Sequence, residues 1–80
     1  MTDLSIYDAN DVVQWFRYLD KLRASGITNM LGSGTFLVDE FGLSKEKAKE
    51  VLVLWMKSFD PAIPADRRAR AVYVANGGTV

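Results

Sequence analysis

The sequence predicts an all-α fold: a compact three-helix bundle with a helix-turn-helix-like corner, leaving room for a short C-terminal helix. Three observations carry that prediction. Apolar residues recur at helical spacing in two long stretches, capping and breaking residues stand at their ends, and no stretch alternates polar with apolar as a half-buried strand does. Eighty residues make one domain at most, and a chain this short needs a dense core. With 49% apolar residues, two tryptophans, four phenylalanines and three tyrosines, the composition can supply one.

Asp8 or Asn10 can cap a first helix that runs to about Ala24, with Asp11 in its first turn, where the helix dipole favours an acid. Val12, Trp15, Phe16, Leu19 and Leu22 share one face; Gln14, Arg17 and Lys21 lie opposite. Val13 and Tyr18 stand at the margins of that face. Gly26 suits the left-handed stop after Ser25. A shorter helix over about Ser33 to Phe41 directs Phe36, Leu37 and Phe41 inward and closes at Gly42. Ser44 caps a third helix, on which Ala48, Val51, Leu52, Trp55 and Phe59 repeat at i, i+3, i+4, i+7 and i+11. Asp60-Pro61 ends it, because a residue before proline is pushed out of the helical region. Residues 1–60 are read as the three-helix core. Residues 61–80 form a basic tail in which Ala65 to Ala75, entered through Pro64 and ended by Asn76-Gly77, can fold as one more helix with Ala69, Val72 and Tyr73 as a thin apolar stripe.

Ten basic residues balance ten acidic ones, but unevenly. The first 60 residues carry nine acids against seven bases, whereas the tail carries Arg67, Arg68 and Arg70 against Asp66 alone. A neutral chain lacks the overall basic footprint of a protein whose main partner is a phosphate backbone. Histidine and cysteine are both missing, and with them go the usual general base, the usual zinc ligands and the thiol nucleophile. No apolar run reaches the roughly 20 residues that span a bilayer, and the start MTDLSIYDAND does not read as a secretory signal. The expectation is a cytoplasmic chain.

The segment SGITNMLGSGTFLVDEFGLS (residues 25–44) holds four glycines and raises phosphate-binding, catalytic and DNA-reading possibilities. A phosphate-cradling loop needs a preceding strand and a following lysine, and GSGTF has neither. Acid-base catalysis would fall to Asp20, Asp39 and Glu40, but neighbours on a helix diverge, and nothing brings Asp20 to the other two; all three read as solvated. Ser33 and Thr35 have no base to activate them. A helix-turn-helix is the stronger reading: a short helix, a turn at Gly42, then a long helix. It would aim Ser44, Lys45, Glu46, Lys49 and Glu50 at the groove, where two carboxylates oppose binding. The sequence thus predicts no catalytic residue, no cofactor, no metal and no small-molecule substrate.

The stretch YLDKLRASGITNMLGSGTFLVDEFGLSKEKAKEVLVLWMKSF, Tyr18 to Phe59, resembles a group of small, mostly uncharacterised proteins encoded by tailed bacteriophages and some bacteria. Ser25-Gly26-x-Thr28-Asn29-Met30 is the most specific part of the pattern, followed by Glu-Phe-x-Leu and a helix ending Trp-Met. The resemblance implies a small protein of the host cytoplasm or the virion, and carries no catalytic residue with it. It also suggests a task for Thr28, Asn29 and Met30. Either Thr28 or Asn29 caps the second helix while Met30 plugs the core, or the turn makes polar contact with a partner.

What the bundle does not obviously need is the outside of the third helix. Val53 and Leu54 lie off its apolar stripe, beside Lys57 and Glu50, and call for cover by Ile63, Val72 and Tyr73 or by another protein. The sequence reading is therefore a non-enzymatic module that binds a protein partner or its own copies. Its candidate contact residues are Val53, Leu54, Lys57, Arg67, Arg68 and Arg70, and a small helix-turn-helix DNA binder is the alternative.

Overall fold

The computed structural model describes residues 3–26 and 30–79, the side chains of residues 30 and 31 excepted. Among them the chain forms four α-helices and no strand: α1 (Ala9–Ala24), α2 (Gly34–Phe41), α3 (Lys45–Ser58) and α4 (Ala65–Ala75), with a 3-10 turn at Met30–Ser33 leading into α2. The Cα radius of gyration is 11.5 Å, against about 11.6 Å expected of a packed chain this long.

Local chemistry sets the helix ends. At the start of α1 the Asp8 carboxylate accepts the Asp11 N–H at 3.0 Å, and the Asp11 carboxylate accepts the Asp8 N–H at 3.2 Å. This reciprocal cap satisfies two of the orphan donors of the first turn. Ser44 caps α3, its hydroxyl oxygen accepting the Lys47 N–H at 3.1 Å. Gly42 closes α2 at φ +69°, a left-handed conformation in which a Cβ would be strained. Phe59 is extended after α3, and Asp60 then turns the chain by accepting Ile63 N–H on its carbonyl and Ala62 N–H on its carboxylate.

The core is built by α1 on one side (Val12, Val13, Trp15, Phe16, Leu19) and α3 on the other (Ala48, Val51, Leu52, Trp55), closed by Leu37 of α2 and by Leu43. Helix α2 lies along α3, and α4 lies along α1. Because α4 covers a second flank of α1, the buried arc of α1 widens enough to take in Val13. Ala69 and Tyr73 of α4 are buried in the same core. Phe36 departs from expectation: it is 39% exposed, because the inward face of α2 is set by Leu37 and Phe41. The Phe41 ring meets Tyr18 edge-on at 5.4 Å.

Residues 3–8 form a strap across the two ends of the chain. Leu4 is buried and its N–H donates to Asn76 O at 2.8 Å, while the Tyr73 hydroxyl donates to Tyr7 O at 2.6 Å. The Tyr7 ring packs edge-on against Trp15 at 4.8 Å. Gly78 turns back over Tyr73, donating to its carbonyl, and a Cβ at position 78 would collide with the Tyr73 ring.

Candidate functional site

A groove of about 530 Å³ runs between α2 and α3. Val38, Leu52 and Val53 give it an apolar lining; Lys45, Lys49, Asp39 and Thr35 complete its wall. Helix geometry explains the arrangement. Lys45, Lys49, Val53 and Met56 follow one another at i+4, i+4 and i+3 on the outer face of α3, and Val53 and Met56 are 38% and 43% exposed. On α2, Thr35, Val38 and Asp39 share the opposing wall at i, i+3 and i+4. Thr35 is oriented by donating its hydroxyl to Gly32 O at 2.7 Å.

The candidate contact residues part company in the structure. Val53 opens on the groove, which is bounded by α2 and α3 and not by the 61–80 segment expected to cover it. Leu54 is half-buried against the core. Lys57, Arg67 and Arg70 are exposed. Arg68 is not available as a surface cation: it is 5% exposed, and its guanidinium pairs with the Asp20 carboxylate of α1. Ile63, expected as cover, is itself 40% exposed and lines a second cleft of about 470 Å³ with Arg67, Val72 and Asn76. Thr28, Asn29 and the side chain of Met30 lie outside the described residues.

The pairing of Asp20 with Arg68 corrects the reading of Asp20 as a solvated acid. One Asp20 oxygen accepts the Trp55 indole N–H at 2.8 Å and the other takes the Arg68 guanidinium, whose Nε–H reaches Ile63 O at 2.9 Å. The same guanidinium lies 5.0 Å from the centre of the Phe59 ring, and Arg23 approaches that ring to 4.4 Å. Helices α1, α3 and α4 thus meet at one polar node. A sequence signal for it existed: Arg68 falls at i+3 from Ala65 and i−4 from Val72, inside the apolar stripe of α4, where a lone arginine needs a buried acceptor.

Among the described residues, no group of three metal-ligating side chains is close enough together to hold an ion, and no helix is long and apolar enough to cross a membrane. Asp39 and Glu40 are exposed on α2, apart from the Asp20 node. In comparisons with known proteins, no family model, curated protein or solved structure matches the chain.

Proposed function

We propose that the protein is a non-enzymatic helical interaction module that holds a segment of another protein chain in the α2–α3 groove. The groove carries this reading. It combines aliphatic surface left open to solvent with two lysines at its edge, the combination that receives an apolar side chain and steers its acidic neighbours. Lys57, Arg67 and Arg70 add exposed cations elsewhere on the surface. A non-catalytic role is supported by Asp20, whose two oxygens are both engaged by structural donors. The resemblance of Tyr18–Phe59 to phage proteins supports a partner in the host cytoplasm or the virion. A photo-crosslinking residue at position 53 tests the proposal: it is expected to give protein adducts in cells, whereas the same residue at exposed Gln14 on α1 is not. Equal yields from the two positions would refute the groove as the binding surface.

The α2–α3 corner favours a second reading. A three-residue link, Gly42 to Ser44, joins the helices, with Gly42 left-handed, and α3 opens with exposed Lys45 and Lys49. These features suit a three-helix unit with a helix-turn-helix corner. Against it stand Glu46 and Glu50, and Lys47 already pairs with Glu50 at 3.0 Å. A labelled duplex is therefore expected to show no saturable binding at physiological salt. Binding that weakens steeply with salt and flattens its salt dependence on Lys45→Ala would instead establish the DNA-binding reading.

A further inference from the structure

Ile6 is 78% exposed, the most exposed large apolar side chain among the described residues. Its exposure is not fraying. The turn that carries it is closed by the Tyr7 N–H donating to Leu4 O at 3.0 Å. On one side Leu4 is buried and bonded to Asn76; on the other Tyr7 packs on Trp15 and accepts from Tyr73. A β-branched side chain is thus held outward on a turn anchored at both ends, so little ordering entropy remains to be lost when it is buried by a partner.

The chain on either side of this knob is acidic. Asp3, Asp8 and Asp11 flank Ile6 in sequence, and Ser5, first through its side chain and then its N–H, holds the Asp3 carboxyl below the usual carboxylate range. The nearby cation, Lys47, is already taken: its Nζ donates to Asp3 O and pairs with Glu50. The α2–α3 groove has the opposite character, with an open aliphatic lining and two lysines against one aspartate. One chain therefore bears an apolar knob on an anchored turn, flanked along the chain by Asp3, Asp8 and Asp11, and an apolar hollow edged by Lys45 and Lys49.

We infer that the occupant of the α2–α3 groove is a second copy of this chain, inserting Ile6 against Val38 and Val53 while its acidic flank faces Lys45 and Lys49. The inference rests on the groove reading above and names its partner. Knob and hollow are different surfaces, so the contact is heterologous: every copy that joins brings a free knob or a free hollow, and assembly proceeds head to tail.

Sedimentation of the purified chain tests this. Wild type is expected to show a mass that climbs with concentration and falls back at high salt, as screening weakens the ionic flank. Ile6→Asp and Val53→Asp are each expected to weaken self-association at least about tenfold. Mixed in equal amounts, the two variants form a one-to-one dimer and nothing larger, because only the knob of one and the hollow of the other remain. Ile6→Ser and the rim variant Lys45→Glu with Lys49→Glu give the same loss by gentler means, with folding checked by circular dichroism. A wild type that stays monomeric up to about 1 mM overturns the inference, as does a mixture that stays monomeric. If Val53→Asp dissociates the protein and Ile6→Asp does not, the groove reading stands and the knob is wrong. If neither variant changes the association, the copies meet elsewhere and the inference fails, while the groove reading stands or falls by the cross-linking at position 53.

Discussion

Deleting residues 61–80 is expected to abolish cooperative folding. The deletion removes buried Ala69 and Tyr73 and strips the α4-facing flank of α1, where Val13 is now covered. It also takes away the Asn76 carbonyl that receives the Leu4 N–H, the Tyr73 hydroxyl that donates to Tyr7, and the Arg68 partner of Asp20. Each large apolar side chain returned to water forfeits about 1.5–3 kcal/mol, and several such losses match the about 5–15 kcal/mol that hold a small domain folded. The measurement is a thermal melt of the truncated chain by circular dichroism. The expected trace is a sloping line with no sigmoid, with dye-detectable apolar surface already present at low temperature. A sharp transition within a few degrees of the full chain would show that residues 1–60 are self-sufficient.

The second large effect is an asymmetry within one ion pair. Asp20→Ala leaves the Arg68 guanidinium buried without its carboxylate and orphans the Trp55 indole N–H. Stranding a buried charge in this way costs about 3–5 kcal/mol. Arg68→Met removes the charge that cannot reach water and fills its volume with an apolar chain. It leaves Asp20, whose side chain is 32% exposed against 4% for Arg68, free to be hydrated while still accepting from Trp55. Its cost is expected to stay below about 2 kcal/mol. Urea denaturation of the two variants decides the matter through their midpoints. Equal destabilisation would mean that burial of Arg68 is not what makes the pair costly to break.

Helix termini were the most legible part of this chain, because a cap is a local event. Asp8, Ser44 and Gly42 could be read from the few residues around them, and Pro64 with Asn76-Gly77 bounded α4 at Ala65–Ala75. The node of Asp20, Trp55 and Arg68 was not legible in the same way. Its members are separated by 35 and 48 positions, and a charged residue on a helix reads as solvated until the fold brings its counterpart. Phe36 departs from its sequence pattern for a different reason. On a helix of two turns the buried face is narrow, and Leu37 with Phe41 fills it, which leaves Phe36 at its edge. As for the groove, Val53 was visible as an apolar residue out of register, but that it opens toward α2 depends on how the two helices pack. The strap at residues 3–8 leaves no signature in the sequence, because Leu4 and Tyr7 follow no period.

That strap also bears on the order in which the chain is made. Leu4 leaves the ribosome 72 residues ahead of Asn76, the residue whose carbonyl it needs. At about 5–20 residues per second the interval is about 4–14 s. During that time α1 exists with neither its α4 cover nor the far end of its strap, and its tryptophan and phenylalanine are open to whatever binds nascent apolar chain. The strap's bonds to Asn76 and Tyr73 close only once α4 has emerged.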